Sequence, residues 1–272
     1  MKRLHARIGF AACIMLASAG VQAFPPYYGG SPATNVVIDD FTAPPQFVIV
    51  PLGPAAANGQ LPTPLGVSVG DFRDLGVIQP GTATSTTMDT FTPGVLHIGQ
   101  GASSDATFYA TWDGPHPVTT PATIGGTGVD TSGLGPIDLT SGGTNNGILV
   151  ELLGVETPAN EITVTLNIFD FGGGSPHTAS YTFGPGAPVF PIGTPIFHFF
   201  TFEDFGYATG YDVQPGEGPT SVGAIQMVMN GTVTADGYFG AVLATQIPVP
   251  APLALIGIGL LGLGAGRRRR AS

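Results

Sequence analysis

Glycine and proline restrict the fold of this 272-residue chain more than any other feature, because they number 42 and 26 and occur along its whole length. Glycine weakens the interior of a helix, and proline breaks it. No long stretch between residues 24 and 246 keeps a helical apolar period without one of these residues. Long amphipathic helices therefore have little room, and short strands joined by turns are favoured.

Alternation of apolar and polar residues is the secondary-structure signal that recurs instead. It is clearest over residues 161–169, where Ile162, Val164, Leu166 and Ile168 alternate with polar residues, as in a half-buried strand. Further strands are predicted over residues 35–39, 46–50, 71–77, 94–100, 106–112, 147–155, 177–183, 196–202, 222–230 and 237–244. Asn230-Gly231 predicts a hairpin turn between the last two strands, and residues 53–66 and 115–135 are predicted to be long loops.

About ten short strands separated by turns predict an all-β fold over residues 24–246, a two-sheet antiparallel β-sandwich of jelly-roll type. Three short motifs, Val37-Ile38-Asp39-Asp40-Phe41, Trp112-Asp113-Gly114 and Asp236-Gly237-Tyr238, resemble galactose-binding-like jelly rolls. Such domains occur as carbohydrate-binding modules and as ectodomains of sorted cell-surface proteins. The resemblance implies the sandwich more strongly than it implies sugar binding.

Almost all basic residues lie at the two ends of the chain, whereas the acidic residues lie in its body. Of the 8 Lys and Arg residues, only Arg73 lies between residues 8 and 266, whereas all 18 acids do, so this region carries 17 net negative charges. Binding of nucleic acid or another polyanion is excluded, because it needs clustered Lys and Arg. A polysaccharide partner is expected to be neutral, or to be held through divalent ions.

The N-terminus has the pattern of a secretory signal peptide over residues 1–23. Lys2, Arg3 and Arg7 precede an apolar stretch over residues 8–19, and Val21-Gln22-Ala23 has the small residues of a cleavage site. The only cysteine, Cys13, falls inside this segment. The mature chain is therefore expected to contain no disulfide, although it is exported to an oxidising compartment.

Residues 247–272 form a three-part C-terminal tail. Pro248, Val249 and Pro250 precede an apolar run over residues 253–266, and Arg267, Arg268, Arg269 and Arg270 follow it. As a helix the run would reach about 21 Å, which is short of the hydrocarbon core of roughly 30 Å. A short transmembrane helix is predicted, with the arginines on the cytoplasmic side. An ordinary anchor that is never cut is the alternative.

This arrangement resembles the PEP-CTERM sorting tail, in which a Pro-Glu-Pro motif precedes a short Leu/Gly-rich helix and an Arg cluster. Val249 replaces the glutamate of that motif, so the tail is closer to the related Val-Pro-Leu-Pro-Ala variant. The resemblance implies processing by an exosortase-like membrane enzyme of a Gram-negative, exopolysaccharide-producing bacterium. The protein is then expected at the cell surface or outside the cell, with its precursor transiently in the inner membrane.

No motif in the body predicts catalytic residues. The G-x-S-x-G pattern at residues 66–70 is not followed by the helix that a nucleophile elbow needs. Asp130-Thr131-Ser132-Gly133 is a single and imperfect match to an aspartic-protease loop. The four histidines of the body have no metal-ligand spacing. The protein is interpreted as non-enzymatic, and a secreted hydrolase acting on glycan or peptide is the alternative.

Two groups of residues are candidates for ligand or metal binding. Exposed aromatic rings beside polar groups suit sugars, which favours Tyr207, Tyr211 and Asp212, with Trp112 as a second platform if it is not in the core. Structural calcium is the one candidate cofactor, with Asp39, Asp40 and Asp236 as its candidate ligands. The hypotheses are a non-enzymatic matrix protein with polysaccharide as its candidate ligand, the hydrolase, and a calcium-dependent adhesive module.

Overall fold

The computed structural model describes residues 35–42, 44–50, 55–60, 69–80, 85–101, 106–115, 128–156, 161–187, 194–207, 218–231 and 235–246. The predicted signal peptide and C-terminal tail lie outside these residues. Within them, no helix is long and apolar enough to cross a membrane.

The described residues form thirteen strands and three short 3-10 turns. The strands are β1 (Val36–Asp39), β2 (Phe47–Val50), β3 (Ala55–Gln60), β4 (Asp74–Gln79), β5 (Thr86–Asp89), β6 (Leu96–Gly99), β7 (Thr107–Trp112), β8 (Gly147–Val155), β9 (Ile162–Asp170), β10 (His177–Phe183), β11 (Ile196–Thr201), β12 (Val222–Gly231) and β13 (Asp236–Thr245). The turns are Val69–Asp71, Phe202–Phe205 and Gly218–Thr220.

The strands pair into two antiparallel sheets with matching strand orders. Sheet A has the order β11-β8-β13-β6-β5-β2, with β1 also paired to β13, and sheet B has the order β10-β9-β12-β7-β4-β3. Strands that follow one another in the chain, such as β8 and β9 or β12 and β13, lie in different sheets but at the same position of the strand order. The chain therefore crosses repeatedly between the sheets, and the prediction of an all-β jelly-roll sandwich is confirmed.

The core lies between the two sheets and is built by alternation along each strand. In β9, Ile162, Val164, Leu166 and Ile168 are fully buried, as the sequence pattern predicts. Long apolar side chains from both sheets fill the same space, including Met227 and Phe239. Each buried side chain of this size contributes roughly 1.5–3 kcal/mol of hydrophobic stabilisation.

The predicted hairpin at Asn230-Gly231 is wrong. Asn230 is still paired, with Thr163 on one side and Thr107 on the other, and β12 ends only at Gly231. The next strand, β13, belongs to the other sheet, because β12 already has a neighbour on both edges. Residues 232–235 therefore connect two sheets instead of two paired strands.

Two strands were not predicted. β3 lies within the expected loop over residues 53–66, and β5 was left unassigned. The sequence of β3, AAANGQ, has residues with low β-propensity, and β5 has only 4 residues. Pairing with β4 stabilises β3, and pairing with β2 and β6 stabilises β5. The sequence of either segment alone does not show these pairings.

Candidate functional site

Trp112 is fully buried and is not an exposed platform for sugars. Alternation along β7 directs Phe108, Ala110 and Trp112 into the core. The indole Nε1–H donates a hydrogen bond of 2.8 Å to Asp39 Oδ2. The alternative interpretation of Trp112 as a core residue is therefore the one that the structure supports.

The three predicted calcium ligands are not brought together. Asp39 is fully buried and forms an ion pair with Arg73, while Oδ1 of Asp40 accepts hydrogen bonds from the backbone and hydroxyl of Thr42. Asp39 pairs with Val242 of β13, and Asp236 lies six residues earlier on that strand, about 20 Å away. The described residues contain no group of three or more His, Cys, Asp or Glu side chains that could hold a metal.

Tyr207 is buried and is not an exposed loop residue. Its hydroxyl donates to Asp170 Oδ1 at 3.2 Å, and its ring lies 4.2 Å from the ring of His177. Burial and the neighbouring Asp170 raise the pKa of the Tyr207 phenol. The other predicted residues, Tyr211, Asp212, Pro248, Val249, Pro250, Arg267, Arg268, Arg269 and Arg270, lie outside the described residues.

His177 ties the β9–β10 hairpin to the turn Phe202–Phe205. Its Nδ1 is 3.1 Å from the Phe205 carbonyl oxygen, and its Nε2 is 3.2 Å from Asp170 Oδ2. Both ring nitrogens thus face acceptors that hold them in place. This geometry suits a structural histidine better than a catalytic base, which needs one nitrogen directed at a substrate.

The sole Lys/Arg residue of the body, Arg73, is fully buried. It donates to Asp39 Oδ2 at 2.8 Å and to Gln46 Oε1 at 3.1 Å, and its guanidinium carbon lies 5.3 Å from the centre of the Phe41 ring. The described surface therefore presents no Lys or Arg side chain. Carboxylates, imidazoles, aromatic rings and neutral polar groups are what a ligand meets there.

The outward surface of sheet A carries a polar and aromatic platform, which we call the A-face. It is formed by side chains of β2, β5, β6 and β13 and by the end of β8. One row across the paired strands contains Phe47, Asp89, His97 and Tyr238, and the next contains Ile49, Thr87, Gly99 and Asp236, beside Glu156.

Hydrogen bonds and ring stacking fix the first row. His97 Nδ1 donates to Asp89 Oδ2 at 2.9 Å, and the rings of His97 and Tyr238 stack with centroids 4.7 Å apart and planes at 16°. The Tyr238 hydroxyl donates to Glu156 Oε1 at 2.9 Å, and burial and Glu156 raise the pKa of this phenol. The phenol and imidazole are thereby oriented before any ligand arrives.

In the second row, Gly99 has no side chain, and acidic side chains lie beside it. A Cβ at Gly99 would lie 2.7 Å from Thr87 Oγ1 and 3.3 Å from His97 Cε1, so glycine is the residue that fits there. Asp236 Oδ1 accepts from the Gln100 backbone N–H at 2.8 Å. Burial and the adjacent Glu156 raise the pKa of the Asp236 carboxyl.

Exposed aromatic rings extend the A-face at its β2 edge. Phe47 and Phe91 are 46% and 57% exposed, and their ring centroids are 5.2 Å apart. Ile49 is also exposed, at 45%. Across the five strands the A-face spans about 19 Å at the usual strand spacing. The A-face therefore combines exposed rings, oriented carboxylates and, at Gly99, a central position without a side chain.

The sequence interpretation missed these residues because no motif joins them. These four residues come from four separate segments: Phe47, His97 and Tyr238 have only an outward position in an alternating strand as their signal, and Asp89 lies in β5, which was not predicted. Which strands are neighbours in the sheet cannot be read from that alternation.

Comparison with known proteins finds no matching family model and no matching curated protein. Among solved structures, the chain is similar to a family 11 carbohydrate-binding module from Clostridium thermocellum in complex with a β-1,3-1,4-mixed-linked tetrasaccharide, with 10% identity over 79% of this chain and 98% of that chain and a TM-score of 0.36. It is also similar to the C-terminal family 22 carbohydrate-binding module of Clostridium thermocellum Xyn10B, with 13% identity over 78% and 94% and a TM-score of 0.26. A family 12 glycoside hydrolase matches with 13% identity over 72% and 99% and a TM-score of 0.31. These low scores do not identify a function for this chain.

Proposed function

We propose that this is an exported, non-enzymatic cell-surface or matrix protein that binds polysaccharide on the A-face. The observation that carries the proposal is the aligned row of Phe47, Asp89, His97 and Tyr238 across four paired strands, with the exposed ring of Phe91 beside it. Sugar sites combine apolar and aromatic surface with a few placed polar groups. The A-face offers both kinds of group over a length that accommodates a chain of several sugars.

The charge of the A-face restricts the polysaccharide to an uncharged one. Asp89, Asp236 and Glu156 can accept hydrogen bonds from sugar hydroxyls, and hydrogen bonds to ionised acceptors are stronger than neutral ones. An anionic polymer would be repelled, because the described surface has no Lys or Arg to compensate these carboxylates. Direct binding of an acidic exopolysaccharide is therefore not expected.

A glycan array tests the proposal on the exported protein, followed by titration calorimetry with the best uncharged hit. Tyr238→Ala and Phe91→Ala should each weaken binding at least about tenfold, because each removes an aromatic ring that a sugar can pack on, and Tyr238→Ala also removes a phenolic hydroxyl. Tyr181→Ala is the matched control, because Tyr181 is 38% exposed but belongs to sheet B. No array hit, or equal losses in all three variants, would argue against the A-face as the site.

Export and sorting are proposed from the two ends of the chain. Residues 1–23 would direct secretion, and the tail over residues 247–272 would hold the precursor in the inner membrane until an exosortase-like enzyme cuts it. Mass spectrometry of the mature protein tests this. A C-terminus that lacks the four arginines is expected, whereas an intact arginine cluster on the exported protein would contradict the processing step.

A hydrolase and a calcium-dependent adhesive module stay as sequence-based hypotheses. On the A-face, the Asp236 carboxyl is close enough to Glu156 for the latter to raise its pKa, whereas glycosidase carboxyl groups stand about 5–9.5 Å apart. This pair therefore suits ligand hydroxyls better than glycoside hydrolysis.

A further inference from the structure

A β-bulge interrupts β13 beside the A-face. The register of β13 against β8 shifts between Phe239 and Val242, where β13 has one residue more than its partner strand. Gly240 and Ala241 therefore lie opposite the single residue Glu151 of β8. On its other edge, β13 pairs with β6 up to Phe239 and with β1 from Val242 onward. The bulge thus lies where β13 changes its neighbour.

The bulge determines which side chains of β13 face outward. Phe239 and Val242 are both fully buried in the core although they are an odd number of positions apart, whereas an unbroken strand directs every second side chain to one face. Leu243 belongs to a small cluster separate from this core. An unbroken alternation counted back from Leu243 would direct Tyr238 into the core and Phe239 outward. The extra residue therefore turns Tyr238, and Asp236 before it, onto the A-face.

The side chain of Glu151 fills this bulge and is bonded to it. Its Oε2 accepts the Ala241 N–H at 3.2 Å, and a Cβ at Gly240 would overlap the same oxygen. The carboxylate thus takes the space of a side chain at position 240. Burial raises the pKa of the Glu151 carboxyl, and the bond from Ala241 partly opposes this rise. Because a half-buried carboxylate is costly unless it is hydrogen-bonded, this bond fixes where Glu151 lies.

We propose that Glu151 is a positioning residue of the A-face, because it holds the bulge that directs Asp236 and Tyr238 outward. Its effect on binding rests on the proposed function, whereas the position of Tyr238 is measurable without a ligand. Loss of the carboxylate removes this acceptor from the Ala241 N–H and releases the segment before the bulge from its place beside β6. The stack of Tyr238 on His97, with centroids 4.7 Å apart, depends on that place, because the two residues pair directly.

Three variants separate the hydrogen bond from the charge. Glu151→Leu removes the acceptor, Glu151→Gln keeps an amide oxygen in its place, and Gly240→Ala displaces the carboxylate without removing its charge. Glu151→Leu and Gly240→Ala should weaken binding of the best uncharged glycan by about three- to tenfold, as loss of one buried hydrogen bond does, and Glu151→Gln should keep wild-type affinity. Glu203→Leu is the matched control, because it removes an exposed carboxylate from the turn Phe202–Phe205. Thermal melting establishes that every variant is folded.

The NMR signal of the His97 Cε1 proton reports the stack in the exported protein without a ligand, because the ring of Tyr238 shifts it. Glu151→Leu and Gly240→Ala should move this signal toward its value in Tyr238→Ala, whereas Glu151→Gln and Glu203→Leu should leave it in place. If the signal moves as expected but the wild-type protein binds no glycan, the proposed function fails and the positioning by Glu151 is supported. An unmoved signal or unchanged glycan affinity in Glu151→Leu, or equal losses in Glu151→Leu and Glu151→Gln, would overturn the inference.

Discussion

At the scale of single residues, the buried Arg73–Asp39 pair concerns stability and not ligand binding. Both side chains are fully buried, and Asp39 accepts hydrogen bonds from Arg73, from the Trp112 indole and from the Phe41 backbone. Sequence reasoning treated Asp39 as a possible metal ligand because it could not show that the only cation of the body packs beside it. The ring of Phe41 lies against the Arg73 guanidinium inside the sandwich.

Replacing Arg73 by methionine should lower the free energy of unfolding by about 3–5 kcal/mol, because it leaves the Asp39 carboxylate buried without its ion-pair partner. Urea denaturation monitored by Trp112 fluorescence measures this loss. The double variant Arg73→Met/Asp39→Asn should recover part of the stability, since the uncompensated charge is then gone. A single variant as stable as the double one would contradict this account.

His198 makes the stability of the protein sensitive to acid. Burial lowers the pKa of this imidazole, and the nearby Asp204 only partly opposes the effect. Its ring is stacked on Tyr181 at 3.5 Å and packs edge-on against Phe200. Because the folded pKa lies below the unfolded value of about 6.5, the unfolded chain binds more protons as the pH falls below that value.

Stability should therefore decrease as the pH falls from about 7 through 6.5 toward the lower pKa of the folded state. His198→Gln should show a smaller decrease over the same range, because it has no group to protonate. Thermal melting of both proteins at several pH values measures the difference. Parallel curves for the two proteins would show that His198 does not contribute.

At the scale of elements, close backbone packing at glycines is a feature that the structure adds. A Cβ at Gly223 in β12 would lie 1.8 Å from the Thr131 carbonyl oxygen and 2.8 Å from Phe171 Cα. Gly223 lies at a β-bulge, where the segment around Thr131 crosses the end of sheet B. Neither contact involves a flexible side chain that could move away.

Gly223→Ala should therefore destabilise the protein by about 1–3 kcal/mol, as overpacking of a tight contact does. Gly174→Ala provides the matched control, since nothing lies within 4 Å of its Cβ position and its φ is not in the left-handed region. Urea midpoints of the two variants give the comparison. If both variants lost the same stability, the close contact would not be the cause.

Elements were predictable from sequence to the extent that their signal is local. Alternation places β9 and orients four of its five buried residues, because every second side chain of a strand shares one face. It cannot show that β1 pairs with β13, since Val36 and Ala244 are more than 200 positions apart in the chain. The A-face depends on such pairings, so His97 and Tyr238 could be assigned an outward direction but not a common site, and Asp89 lies in β5, which was not predicted.

At the scale of the whole molecule, charge determines which polysaccharides the proposed site can hold. Residues 8–266 contain 18 acids and one Lys/Arg residue, Arg73, whose side chain is fully buried and paired with Asp39. The described surface therefore carries carboxylates with no Lys or Arg beside them, so an anionic polymer is repelled.

Binding of an uncharged polysaccharide should therefore change little between low and high salt, because no ion pair forms between the ligand and the protein. An acidic polysaccharide of similar length should not bind at low salt, since the repulsion is then least screened. Affinity electrophoresis with both polymers at two salt concentrations measures the difference. Binding of the acidic polymer at low salt without divalent ions would contradict this account of the surface.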